Sequence, residues 1–356
     1  MELDQVLARR LATQRLTGPP ADSPTQVVRE LLCVQAQDAP LAKAMLAYRS
    51  TGGVAGVDAA LAAGQLVRTH VLRPTWHYVA AEDLRWLLEL TSARVESGMA
   101  ARHRQLGVDE PTIARALEVI TRRLAGRHFT TRTGLGEALA DAGLLKTGDP
   151  LFGQRLAHLL LVAELRAVTC SAPADAVEHH YALIDEVLPV TPPRSRQHGL
   201  AELVGRFVAS HGPVALSDLQ RWTPLPLKEL RTTLAGLADR LTSLDVDGAE
   251  LWYCPDEPQR SRPRRAWLLS TFDEAYLSYR TTGYPRSPGH PDGDSFAAFV
   301  AAGGPVLCDL RDVGRFTRRM VRGRPEVTLV LDPGLSLAQR SAIDEAVDLL
   351  KATISG

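Results

Sequence analysis

The sequence predicts an α+β protein: three tandem winged-helix motifs followed by a C-terminal β-barrel-like module. Three observations carry this expectation. A helix–helix–helix order followed by strand signals recurs through the first 265 residues. Two of the strand segments carry hairpin signatures. From about Ala266 the pattern changes to short apolar runs punctuated by glycine and proline. The implied boundaries are 1–107, 108–188, 189–265 and 266–356.

Each element has a local reason. Leu3, Val6, Leu7, Leu11 and Leu16 stand near helical spacing. "GPPADSP" breaks the chain, and Ser23-Pro24 opens a second helix, expected to run to about Val34. "GVDAALAAG" reads as a short third helix stopped by Gly64. In "QLVRTHVLRPTWHYV", Val67, Thr69 and Val71 alternate with Arg68 and His70, and Thr75, His77 and Val79 alternate again. That reads as a hairpin turning near Leu72, Arg73 and Pro74.

The same order returns twice. Residues 111–126, "TRTGLGEALADAGL" and "GDPLFGQRLAHLLLVAEL" predict helices, and "RAVTC" a strand. "DEVLPVTPPRSRQ", with three prolines, reads as a linker. "GLAELVGRFVASHGP", "ALSDLQRWT" and "PLKELRTTLAGLADR" predict three more helices. "LTSLDVDGAELWYC" then predicts a hairpin around Asp247-Gly248. "AWLLSTF", "GPVLCDL" and "EVTLVLD" read as strands of the last module. A closing helix follows, with Ser336 as N-cap and Leu337, Ile343, Val347 and Leu350 on one face.

Composition narrows the function classes. The 356 residues are 45% hydrophobic and 23% charged, as in a soluble globular protein with ample core. Forty-one basic residues balance 41 acidic ones, so nucleic-acid binding would need local patches. The four cysteines (Cys33, Cys170, Cys254, Cys308) are dispersed with no CxxC pair, which fits buried thiols in a reducing cytoplasm. The N-terminal stretch is charged and helical rather than a signal peptide, and no apolar run spans a bilayer. His179-His180 is an isolated pair, no HExxH is present, and no phosphate-binding glycine loop or GxSxG elbow occurs. No metal and no cofactor are expected.

Two arginine clusters and one amide pair remain. "QRSRPRR" holds Arg260, Arg262, Arg264 and Arg265, and "RFTRRMVRGR" holds Arg315, Arg318, Arg319, Arg322 and Arg324. Such runs are commonly solvated surface, but guanidinium forks also suit phosphates. DNA contacts are expected from Arg262, Arg264, Arg265, Arg318 and Arg319, and from Arg68, His70 and Arg73 on the first hairpin. Trp76 reads as packing. Gln35 and Gln37 flank Ala36 where an apolar helix ends before Pro40. Pro40 biases Ala39 away from helix. In extended backbone, residues i and i+2 project to one side, so both amides would face one cleft and hold a water between them. They offer no strong base. The residues alone favour a plainer role, capping the helix end.

These motifs resemble the winged-helix family of bacterial alkyl-base DNA glycosylases, the AlkZ-type and YcaQ-like proteins. Gln35-Ala36-Gln37 is similar to that family's Gln-Φ-Gln motif, with alanine as a small Φ. "LVRTHVLRPTWHYV", "LLSTFDEAYLSYR" and "GGPVLCDLRDVGRFTRR" resemble further family segments in the same order. The resemblance implies monofunctional hydrolysis of the N-glycosidic bond of alkylated purines, above all N7-alkylguanine. Catalysis would fall to Gln37, with Gln35 in support. It extends to unhooking of interstrand crosslinks and to toxin self-resistance, which some members perform. A crosslinked guanine cannot swing fully out of the duplex, so an open cleft is expected rather than a closed pocket. The expected partner is double-stranded DNA, met by a monomer in the cytoplasm and at the nucleoid. Lys43 is the one lysine near the motif, which argues against Schiff-base lyase chemistry. Asp273 and Glu274 read as structural carboxylates at a strand-to-helix turn. Alternatives of other classes are a non-catalytic winged-helix DNA-binding regulator, which would not need the amide pair, and a protein–protein scaffold, which would leave the arginines unexplained.

Overall fold

The N-terminal helices start where local chemistry allows. The Ser23 hydroxyl accepts the Gln26 N–H at 3.2 Å, and Pro24 fills the first turn, where its missing N–H leaves nothing unpaired. The helix Pro24–Leu31 ends three residues earlier than the apolar pattern predicts. Leu32 takes φ +72°, outside the right-handed helical region, and the strand Cys33–Gln35 follows. A further helix, Ala39–Arg49, begins just beyond. The apolar pattern does not predict this helix, because Pro40 has the local signature of a breaker. Pro40 lies instead in the helix's first turn, and Asp38 caps that helix by accepting the Leu41 N–H at 3.1 Å.

The computed structural model describes residues 1–173, 178–255, 265–280, 283–287 and 296–355. They fall into two compact units. One comprises residues 1–57, 201–222 and 227–356, and the other 58–200 with 223–226. Among the described residues no helix is long and apolar enough to cross a membrane.

In the first unit, a four-stranded antiparallel sheet runs in the order 324–331, 311–321, 304–308, 266–268. It curls into a half-barrel. The register shifts between Val306 and Leu307, and Gly314 opposite Val306 leaves no space for a side chain. A Cβ there would stand 2.2 Å from the Val330 carbonyl oxygen. Arg322 and Gly323, both at positive φ, turn the long hairpin between its last paired residues, Val321 and Arg324. The helix Leu337–Ser355 packs on this sheet through Ile343, Ala346, Val347 and Leu350. Ser336 meets the expectation of an N-cap, accepting from the Gln339 N–H, whereas Leu337 is 88% exposed and not on the apolar face.

Leu7 and Leu11 of the helix Leu3–Thr13 share that core with Met45, Trp267, Val306 and Phe316. The N-terminal helices and the C-terminal sheet are thus one hydrophobic body, although nearly the whole chain separates them. The helix Leu216–Trp222 and the hairpin Thr242–Val246 with Ala249–Tyr253 belong to the same unit. That hairpin turns at Asp247 and Gly248, both at positive φ, as the Asp-Gly pair predicts.

The second unit contains the helices Leu84–Gly98, Glu110–Leu124, Arg132–Asp141 and Phe152–Leu165. Ile113, Ile120, Leu135, Leu139 and Leu159 form its core. Beside them lie a small sheet in the order 130–131, 180–183, 169–171 and the hairpin Leu66–His70 with Trp76–Ala80. The turn of that hairpin carries Leu72 at φ +63°, where the sequence placed it.

Candidate active site

Gln35 ends its strand and is only 7% exposed, while Ala36 is fully buried and Gln37 is exposed. The helix has stopped well before the first glutamine, so the amide pair does not cap it. The chain leaves extended backbone after Gln35 and bends through Gln37 into the Asp38 cap. The two amides are therefore unequal: one is packed in, the other offered to solvent.

A buried carboxylate fixes this segment. Glu274 Oε1 accepts the backbone N–H of Gln35 at 3.0 Å. Its Oε2 accepts the Trp222 indole N–H and the Ser278 hydroxyl, both at 2.9 Å, and His211 Nε2 stands 3.7 Å away. Glu274 is 2% exposed, and its donors compensate the loss of water. The adjoining Asp273 caps the short helix Glu274–Leu277 through the Ala275 N–H. It also receives both terminal nitrogens of Arg49, at 3.0 and 2.7 Å. Arg49 closes the helix Ala39–Arg49 and donates through Nε to the Gln14 carbonyl. Asp273 and Glu274 thus grip the elements on both sides of the glutamine turn.

The network continues inward. Tyr279 donates to the His211 carbonyl at 2.9 Å and accepts from the Gln14 amide at 3.0 Å. Burial pushes the Tyr279 phenol up, so it stays protonated and keeps donating. Arg10 stacks on the Tyr279 ring, 3.9 Å from its centroid.

The predicted arginines meet different fates. Arg318, on the strand Arg311–Val321, donates to Asp38 Oδ1 at 2.8 Å and so stands at the glutamine turn. Arg319 is exposed and pairs with Glu326 on the neighbouring strand at 2.7 Å. Arg265 is exposed and forks onto Asp309 at 2.7 and 2.9 Å. Arg262 and Arg264 lie outside the described residues. Arg315 of the same cluster is 1% exposed and bonded to Asp312, so it belongs to the core of the half-barrel rather than to its surface.

Of the hairpin candidates in the second unit, Arg68 lies over the Trp76 ring, 4.4 Å from its centroid. Arg73 is half-buried and reaches His77 Nε2 at 3.2 Å. His70 departs from the expected groove probe. It is 7% exposed, its Nδ1 is held by Glu164, and its ring stacks obliquely on Trp76 at 4.2 Å. A buried carboxylate behind the strand captured it.

Sequence reasoning missed Trp222, Ser278 and His211, and gave Glu274 no link to the amides. The signal for Glu274 was present in "FDEAYLSYR", but nothing in the sequence ties position 274 to position 35. Among the described residues no three His, Cys, Asp or Glu side chains converge as a metal site.

The family model described as DNA glycosylase AlkZ-like matches residues 28–353. Among solved structures, the chain is similar to the Streptomyces sahachiroi DNA glycosylase AlkZ. The two share 20% sequence identity over 100% of this chain and 97% of that one, with a TM-score of 0.77. No curated protein sequence matches the chain.

Proposed function

We propose, from the premise that the chain belongs to the AlkZ-like DNA glycosylase family, that it is a monofunctional glycosylase hydrolysing alkylated purines such as N7-alkylguanine. The observation that carries this reading is the hold of Glu274 on the backbone N–H of Gln35, which fixes the chain at the first glutamine and leaves the second, Gln37, at a solvent-facing turn.

The chemistry suits amides. Alkylation at N7 makes the base cationic. When the C1′–N9 bond breaks, its electron pair neutralises the purine ring and C1′ becomes oxocarbenium-like. A water oxygen then bonds to C1′ and releases a proton to solvent. Gln37 aims that water through its amide oxygen, and Gln35 supports the geometry from the buried side. Neither need remove a proton from an unwilling donor; positioning and electrostatic preorganisation carry the rate. Arg318 holds Asp38, and Asp38 in turn caps the helix leaving the turn, so the motif is braced at both ends.

The same reading takes the helical segments as three tandem winged helices, with arginines 319 and 265 on backbone phosphates, and Arg68 and Arg73 as further contacts. It extends to crosslinked guanines, which an open site admits.

The test uses duplex DNA carrying N7-methylguanine, and separately a crosslinked duplex, with strand breaks read after alkali. Wild type gives abasic sites, and Gln37→Ala loses at least tenfold in single-turnover rate. Equal rates from the two proteins overturn the role of Gln37. Absence of product from both duplexes favours a DNA-binding regulator.

A further inference from the structure

The second unit contains a cavity of about 650 Å³ whose lining, apart from the rim residue Arg68, the glycosylase reading does not use. Its size suits a small organic ligand. We propose that it binds a planar aromatic molecule carrying one anionic group.

Three features of the lining define that chemistry. The first is charge. Arg68, Arg102 and Arg132 line the cavity, and no carboxylate does so among the described residues. Arg102 is held by the side-chain oxygens of Gln105 and Gln154, each at 2.6 Å, and Arg132 by the Gly153 carbonyl at 2.6 Å. These acceptors are neutral, so they fix the guanidinium groups without cancelling their charge. Two acids close to lining residues are already engaged: Glu164 with His70, which itself lines the cavity, and Glu96 with Arg166. Fixed, uncancelled guanidinium groups select a carboxylate or phosphate. They also repel a cationic purine, which sets this site apart from the reaction proposed above.

The second feature is shape. Trp76, His179 and Tyr181 meet edge to face, with centroids 4.7 and 4.6 Å apart, and Met99, Leu160 and Leu161 complete an apolar surface. Such walls accept a flat ring system.

The third feature is unmet polarity. His158 Nε2 and His179 Nε2 are buried and have no hydrogen-bond partner among the described residues. His158 is 6% exposed. Burial and the neighbouring cations push both imidazoles well below their ordinary pKa, so they are neutral and can each donate or accept one bond. Buried polar nitrogens ordinarily find partners, and these two belong to residues that line the cavity, so a small ring shift brings each to a ligand heteroatom.

Such a ligand has two sources, a free aromatic acid or a nucleotide, where the base is the ring and the phosphate the anion. Calorimetry on the full-length protein separates them, using indole-2-carboxylate, its neutral amide indole-2-carboxamide, and dGMP. We expect saturable binding of indole-2-carboxylate or dGMP, whichever is the nearer mimic, and at least tenfold weaker binding of the carboxamide. Arg132→Gln should weaken the anion about tenfold, the scale of one charged hydrogen bond. Ala157→Trp, which places a bulky ring at the exposed rim, should abolish binding while leaving the melting temperature unchanged. Binding of dGMP alone assigns the nucleotide source, and binding of the indole acid alone assigns a free aromatic acid. No binding of either anion, equal binding of acid and amide, or binding insensitive to Ala157→Trp overturns the proposal. No DNA is present in this experiment, so its outcome is independent of glycosylase activity.

Discussion

Glu274 accepts the backbone N–H of Gln35 across 3.0 Å, although 239 positions separate them in the chain. This bond joins the C-terminal half of the protein to the amide motif. Replacing Glu274 by Gln keeps the volume but exchanges a charged acceptor for a neutral one facing the same three donors. Hydrogen bonds to charged groups contribute about 1.5–3 kcal/mol, so the variant should be destabilised by a comparable amount. Its glycosylase rate should fall with little change in DNA affinity. Urea denaturation and single-turnover kinetics check this, and an unchanged rate would show that the Glu274 bond serves stability alone.

The two glutamines should separate experimentally. Gln37 is exposed, so Gln37→Ala should leave stability within about 0.5 kcal/mol of wild type while removing activity. Gln35 is buried, and Gln35→Ala should lower both. Thermal melts measured beside excision rates distinguish the two patterns.

Arg318 and Arg319 are adjacent in sequence and differ in role. Arg318→Ala releases Asp38 and should slow excision. Arg319→Ala breaks an exposed pair with Glu326, which is worth about 0–1 kcal/mol. If Arg319 contacts a phosphate, the slope of log affinity against log salt should shrink by about 1. Binding titrations at several salt concentrations read both effects.

Gly314 has no space for a side chain. Gly314→Ala places a Cβ against the Val330 carbonyl and should cost more than about 2 kcal/mol, because backbone rather than a flexible side chain must move. Gly323, in the exposed turn of the same hairpin, has nothing near its missing Cβ. Gly323→Asn tolerates its positive φ and should cost far less. Chemical denaturation of both variants tests the contrast.

The buried imidazole His158 makes stability depend on pH. Its pKa is lowered from 6.5 to about 4, chiefly by burial and then by His103 and Arg102. Between these values the unfolded chain binds a proton that the folded chain refuses, so stability falls as pH drops from 6.5 towards 4 and this contribution is level above 6.5. At about 1.4 kcal/mol per pH unit, the fall between pH 7 and pH 5 from this residue is about 2 kcal/mol. His158→Leu should lose that part of the slope, as measured by urea denaturation at the two pH values.

The sequence by itself determined most local structure. Ser23-Pro24, Asp247-Gly248 and Ser336 each announced an element through chemistry confined to a few neighbouring residues, and the structure has those elements. It also singled out Gln35 and Gln37, since two amides at the end of an apolar run are a local anomaly. Where local signals conflicted it failed. Pro40 reads locally as a breaker, whereas the Asp38 cap beside it makes the same proline part of a helix start. Periodicity puts Leu32 inside a helix, but its positive φ depends on surroundings that periodicity does not encode.

Tertiary structure alone decided the rest. His70 alternates in its strand like a surface residue, but Glu164, 94 positions away, draws it into the interior. Arg315 and Arg318 sit three apart on one strand and so face opposite sides, but only the fold decides that the side of Arg315 is walled into the half-barrel by Asp312 while that of Arg318 reaches Asp38. The setting of Gln35 has the same origin: its backbone N–H is held by Glu274, a distant carboxylate that is itself held by Trp222 and Ser278. Hydrogen bonds and desolvation act through space, so a carboxylate's partner is set by which segments the core brings together, and no spacing rule along the chain contains that information.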